Sequence, residues 1–367
     1  MAEPSARSRA RGCLLGGAVG DALGAPVEFV RHAQIVERYG PGGPGEIGEA
    51  YGVHGAVTDD TQMTLWTAEG CLRAYHRGAT KGIVTIPGVV LRAYLRWLDT
   101  QEAGPHDGPA FWQTGKSWLF DVPELHARRA PGTTCLRALE VRRAKQPFHN
   151  ESKGCGGVMR MAPVGLLTDK PDHAFRIGCD LAELTHGHVT GYVAAGAFAV
   201  AICHLREGAT IAAAVDEAAA AAARVTGGGE TVMALDRARQ LAASDAGEVE
   251  AVHALGTVTP GQGPGWVAEE ALAVAALCAL RHPTDVERAL RMAVTHDGDS
   301  DSTGSICGNL MGAALGVEAI PERWRTEVEL VDVILQIADD LHDARTVTMN
   351  WFSGPRGPGW YDRYPPS

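Results

Sequence analysis

The sequence predicts an all-α fold, a compact multi-helix domain. Segments 62–77, 174–186, 190–205, 210–224, 266–281, 285–294, 304–315 and 327–343 space their apolar residues at the helical period, and the alternation of a half-buried strand is nearly absent. The stretch Thr210 to Val225 is so rich in alanine that helix propensity alone favours it, and Gly227, Gly228 and Gly229 end it. With so little strand signal, helix packing must build the core. At 367 residues and 45% hydrophobic content, the chain can bury enough apolar surface to offset the entropy lost on folding. One domain over 11–367 is expected, after a flexible start at 1–10 and with an irregular tail at 350–367, where prolines and glycines oppose a helix.

Charge and composition exclude several classes. The formal charge of −11 comes with no dense Lys/Arg block, which disfavours nucleic acid as a partner. No apolar run approaches the ~20 uncharged residues needed to span a bilayer, and Met1 to Arg7 lacks the apolar core of a secretion signal. A cytoplasmic monomer without a membrane partner is the expectation. Cysteines stand singly at 13, 71, 135, 155, 179, 203, 278 and 307, without CxxC spacing, as small reduced core residues would. Glycine, at 45 residues, gathers beside polar motifs, and loops at 41–57, 101–117 and 144–157 are long for a helical domain and suited to carry binding groups.

Two acidic clusters carry the chemistry. Thr58-Asp59-Asp60-Thr61 precedes the helical segment from Gln62, and Asp297-Gly298-Asp299-Ser300-Asp301-Ser302 precedes another. The first could simply cap a helix, since such side chains accept N–H bonds and carboxylates suit the positive end of the helix dipole, and the second could be a solvated acidic loop. A cap needs one such side chain, however, and three acids in five residues repel one another. The surplus charge calls for a cation, toward which alternating acids on an extended stretch could point. Oxygen donors without His or Cys favour magnesium, manganese or calcium over zinc. As two half-sites, the clusters offer Thr58, Asp59, Asp60, Asp299, Asp301 and Ser302, enough oxygens for two ions at the ~3.5–4 Å separation of dinuclear hydrolases. Asp21 interrupts a glycine-rich apolar segment from Cys13 to Pro26 whose small residues suit close helix packing; a carboxylate buried there needs a partner, such as backbone near the metal loops.

These motifs, with Gly16 to Phe29, Gly154-Cys155-Gly156-Gly157-Val158-Met159-Arg160, Leu184-Thr185-His186-Gly187-His188 and Gly265 to Leu272, stand in an order and spacing that resembles the ADP-ribosylglycohydrolase family over nearly the whole chain. The resemblance implies an all-α domain with a dinuclear magnesium or manganese centre at the base of an ADP-ribose cleft, ligated by the same six residues. It implies hydrolysis of an ADP-ribosylated protein or small-molecule ADP-ribose conjugate. The Asp-Ser-Asp-Ser form looks closest to the arginine-specific branch. Asp60 is the first choice for aligning the attacking water and Glu28, matching a mobile acid of some members, the second. Gly154, Cys155, Gly156 and Gly157, with Val158 and Met159, match the substrate-binding turn, whose N–H groups suit a diphosphate, although an ordinary glycine-rich turn reads the same. His186 matches a ribose or phosphate contact, while isolated histidines at 186 and 188 would read as helix C-terminal caps. Trp266, Trp351 and Trp360 are candidates for adenine stacking, with core packing as the default. The competing expectations are a non-catalytic, crystallin-like binding or structural relative, a hydrolase of a free conjugate, or one of another linkage such as O-linked serine.

Overall fold

The computed structural model describes residues 3–101, 117–256, 262–346 and 359–365. From the N-terminus the chain forms α1 (Ala6–Gly24), α2 (His32–Tyr39), α3 (Asp59–Lys81), α4 (Ile86–Gln101), α5 (Thr133–Arg143), α6 (Ala162–Leu167), α7 (Pro171–Glu183) and α8 (Val189–Arg206). Then follow α9 (Ile211–Ala223), α10 (Gly229–Ala242), α11 (Glu248–His253), α12 (Ala268–Arg281), α13 (Val286–Val294), α14 (Ser300–Leu315), α15 (Glu322–Glu327), α16 (Val331–Thr346) and α17 (Trp360–Arg363). Among the described residues the one sheet is an antiparallel hairpin, β1 (Glu49–Ala50) and β2 (Val53–His54), paired Glu49 to His54 and Ala50 to Val53. The protein is all-α, as the periodicity predicts.

Helices α1 and α14, from opposite ends of the chain, pack backbone to backbone at the centre. Glycine at every fourth position permits this. A Cβ on Gly12, Gly16 or Gly20 would stand 2.4, 2.4 or 2.0 Å from the carbonyl oxygen of Gly312, Gly308 or Gly304, closer than any non-bonded carbon can come. The side amide of Asn309 locks the pair by donating to the Cys13 carbonyl at 2.7 Å. Because the helices touch along their length, Asp21 near the end of α1 and the start of α14 are forced together.

The start of the chain departs from the flexible segment expected at 1–10. Ser5 caps α1, accepting from the Ser8 N–H at 3.1 Å, and Ser8, Arg9 and Ala10 are buried. The cause is tertiary: Arg9 donates to the carbonyls of Ala313 and Ala314 at the end of α14, ends that would otherwise lack partners. The tail expected to be irregular contains the helical turn α17, fixed by Tyr364, whose hydroxyl donates to Asp340 at 2.8 Å, and by Arg363 paired with the same carboxylate; residues 350–358, Trp351 among them, lie outside the described residues. Against the expectation that no apolar run approaches membrane-spanning length, α8 is long and apolar enough by composition to cross a membrane, yet 83% of it is buried inside the protein. A helix surrounded by α6, α7, α9 and α12 needs no polar face.

Candidate active site

Both helix starts carry caps, and the same residues form the acidic centre. Thr58 Oγ1 accepts the Asp60 N–H at 3.3 Å to open α3, and Asp299 Oδ1 accepts the Ser302 N–H at 3.3 Å to open α14. Thr58, Asp59, Asp60, Asp299, Asp301 and Ser302 are all buried. The acids at 299 and 301 are therefore aimed by a helix N-terminus, not by the extended stretch expected. Asp297 points elsewhere: it accepts the His32 amide at 2.6 Å and pairs with His253 at 3.1 Å. Between them His296 holds the turn, its Nδ1 accepting the Gly298 N–H at 2.9 Å. Burial lowers His296 to about 4, so it stays neutral and keeps that acceptor.

Asp21 fixes the first half-site from α1. It is fully buried and accepts from the Thr58 N–H at 3.0 Å, the Thr61 N–H at 3.1 Å and the Thr61 hydroxyl at 2.6 Å, the partners its burial demanded. Asp59 accepts the Gly132 N–H at 3.2 Å, a contact no motif signalled. Glu28 enters the centre from the turn after α1, and single carboxylate oxygens of Glu28, Asp299 and Asp301 lie within 4.8 Å of one another.

Among the described residues no Lys, Arg or His pairs with Glu28, Asp59, Asp60, Asp299 or Asp301. Their proton affinities show the cost. Burial, then the charge of Asp301, raises Asp21 to about 7 and Glu28 to about 11. The same two causes hold Asp59, Asp60 and Asp299 well above the carboxylate range. Asp60 Oδ1 and Glu28 Oε2 are buried without a hydrogen-bond partner. Crowded, dry, hard oxygen donors with unused lone pairs fit divalent cations. Cavities of about 450 and 500 Å³ lie elsewhere, beside Arg291 and Glu248 and between α3 and α7, and do not reach these acids.

The glycine turn stands over this centre. Cys155 to Gly157 form one 3₁₀ turn, stitched to the 264–268 strand-like segment by the Cys155 N–H to the Trp266 carbonyl at 3.3 Å and by the Ala268 N–H to the Lys153 carbonyl at 2.8 Å. The Cys155 thiol donates to Asp299 at 2.8 Å; burial and then Asp299 raise its pKa, so it remains a thiol. The side chains of three residues expected to contact substrate pack against the turn and the core beneath it. Val158 and Met159 are buried, Met159 against the Ser302 and Thr64 hydroxyls. The His186 ring lies under Gly154, Gly156 and Gly157, is 2% exposed, bonds Thr185 at 2.8 Å, and is lowered to about 3 by burial and then Arg160. These side chains support the turn from below. His188 caps the start of α8, with Nδ1 accepting from Thr190, rather than the end of α7. Trp360 is buried, whereas Trp266 is half-buried and stacks on Phe29. The sequence reading missed His296, Gly132, Phe29 and Tyr51; the last two could have been suspected as aromatics beside Glu28 and in a glycine-rich loop.

An all-helical protein with a buried, unpaired carboxylate centre beneath a glycine turn is the class that fold and site define. A family model for ADP-ribosylglycohydrolase matches residues 2–350, and the chain belongs to that family. It is 26% identical to the ADP-ribosyl-[dinitrogen reductase] glycohydrolase of Rhodospirillum rubrum, over 92% of this chain and 99% of that one. It is also 26% identical to ADP-ribosylhydrolase ARH3 of Mus musculus, over 91% of each. A solved structure titled ADP-ribosylglycohydrolase-related protein complex superposes with a TM-score of 0.63 at 26% identity, covering 93% of this chain and 99% of that one. ADP-ribosyl hydrolysis is the activity class these relatives define.

Proposed function

We propose that this chain is a metal-dependent ADP-ribosyl-acceptor hydrolase that removes ADP-ribose from arginine by attack of water at ribose C1. One observation carries the reading: five buried carboxylates and Asp21 converge with no Lys, Arg or His among the described residues to neutralise them, in a member of a family of ADP-ribosyl hydrolases. Thr58, Asp59, Asp60, Asp299, Asp301 and Ser302 would hold two magnesium or manganese ions. When bound, such ions supply Lewis acidity, acidify water and fix ribose hydroxyls.

The chain's own groups do the rest. Asp60, whose Oδ1 has no other partner, takes the proton of the attacking water. Glu28, protonated in the metal-free protein, is the second acid within reach of the same centre. Protonation of the leaving nitrogen is the other demand of glycosidic cleavage, since the transition state has oxocarbenium character. The N–H groups of Gly156 and Gly157 receive the diphosphate, those of Gly154 and Cys155 being donated to Ser152 and the Trp266 carbonyl, and His186 beneath them holds the turn in shape. The Asp299-Ser300-Asp301-Ser302 form supports the arginine linkage.

The test is release of ADP-ribose from arginine-modified and serine-modified peptides with chelator, magnesium and manganese compared. Metal-dependent release from the arginine conjugate is expected. Release from serine alone would move the acceptor, and tight ADP-ribose binding without release would favour the non-catalytic relative.

A further inference from the structure

The rim of the acidic centre is aromatic, and the reading above leaves that unused. Among the described residues the exposed large apolar side chains are Phe29, Tyr51, Ile83 and Met233; Phe29 follows the buried Glu28 in the chain, and Tyr51 feels the charges of Glu28 and Asp301. Phe29 is 72% exposed. Its ring stacks on Trp266, with centroids 5.6 Å apart and planes 27° apart. Trp266 is itself anchored to the centre: its carbonyl accepts the Cys155 N–H, and the preceding Gly265 packs on Asp299. Tyr51 tips the hairpin on the same rim; burial, and then the charges of Glu28 and Asp301, raise its hydroxyl pKa, which places it in the field of the cluster.

Two further facts mark these rings as more than stray surface. Phe29 and Tyr51 hold φ of 56° and 54°, a left-handed backbone that bulky residues avoid and that persists where surroundings enforce it, often at functional sites. Exposing a large ring also forgoes burial that would stabilise the fold. Phe29 stacks on Trp266 and leaves most of its surface to solvent.

We propose that Phe29, braced by Trp266, is the acceptor-side platform of this site and that its free face takes the planar cation of an arginine leaving group. The inference rests on the arginine reading above. Connectivity favours the acceptor over adenine as the occupant. The leaving nitrogen is bonded directly to the carbon that reacts at the carboxylates, and Phe29 is one residue from Glu28 in that centre. Adenine is separated from the same carbon by two riboses and a diphosphate. A guanidinium is flat, cationic and weakly hydrated, so it gains from a ring face and from the negative field around it. A serine linkage offers neither charge nor plane.

The experiment measures kcat/KM on ADP-ribosyl-arginine and on an ADP-ribosyl-serine peptide for wild type, Phe29→Ala, Phe29→Leu and Phe29→Tyr with saturating magnesium, alongside ADP-ribose affinity by calorimetry. Phe29→Ala and Phe29→Leu should lose on the order of 5- to 20-fold on the arginine conjugate, while Phe29→Tyr stays within about twofold of wild type and ADP-ribose affinity is unchanged in all three. Parallel loss of ADP-ribose affinity would assign the ring to the nucleotide and overturn the proposal. So would Phe29→Leu matching wild type, which would reduce the ring to apolar bulk, or Phe29→Ala leaving arginine turnover intact. Wild type that cleaves no arginine conjugate would overturn the functional reading and this inference together; the other outcomes overturn the inference alone.

Discussion

Helix α3 buries carboxylates at its start and at its middle, and the two places answer the same problem in opposite ways. Glu69 is fully buried, yet its pKa is lowered: burial pushes it up, but Arg96 and Arg73, with Arg96 donating at 2.7 Å, outweigh that cost. Nine and ten residues earlier in the helix, Asp60 and Asp59 are as dry and have no cationic partner among the described residues, and burial plus Asp301 raises both. The first region is electrostatically complete with the chain's own residues. The second is left incomplete, which a folded protein tolerates only where a ligand supplies the missing charge.

The sharpest break of that contrast is Asp301, the largest charge acting on its neighbours. Asp301→Ala should lower kcat/KM by roughly 10³-fold or more and weaken magnesium binding by calorimetry, because the ions lose a ligand. In the metal-free protein Asp301→Asn should raise the melting temperature by removing repulsion; a lower melting point would show that the cluster is a structural network like that at Glu69. Conversely, Glu69→Gln strands two buried guanidinium groups and should cost about 3–5 kcal/mol in urea unfolding, with metal affinity of the folded protein unchanged.

Acidity offers a gentler probe. Asp21, raised to about 7, holds its proton in the folded metal-free protein over a range where the unfolded chain has lost it. Folded protein then binds more protons, so stability must fall as pH rises from about 4, with Asp21 contributing the order of a few kcal/mol by pH 7, and keep falling above it because Glu28, raised to about 11, still holds its proton. Chelated protein melted across pH 4 to 8 checks this, and a rise over that range would refute it. Saturating magnesium should stabilise most at the alkaline end. The smallest expected effect lies outside both regions: Gly308→Ala, whose methyl would meet the Gly16 carbonyl at 1.9 Å, should cost about 1–3 kcal/mol and reduce activity by shifting the start of α14.

Several elements were legible because their cause is local. α8, α9, α12 and α13 announce themselves by period or alanine content, and Thr58 by the chemistry of a cap. Hidden elements have mixed signals: α4 carries Pro87 in its first turn and Val89, Val90, Tyr94, Trp97 and Thr100 beyond, and α10 starts on a glycine run that reads as a breaker. Their helicity comes from packing against α3 and α12.

The sequence by itself determined the helical class and the inventory of oxygen donors, since period, propensity and residue type are properties of short stretches. Only the tertiary structure decided which donors meet. Asp297 and Asp299 are two residues apart, yet one turns to His253 and the other to the centre, because Asp299 caps α14 while Asp297 lies in the turn before it. Glu28 joins Asp301 across some 270 positions because glycines let α1 and α14 touch, and His186 supports the glycine turn because the ring fits beneath it. Burial and close approach belong to pairs of segments, and a single line of residues does not state its pairs.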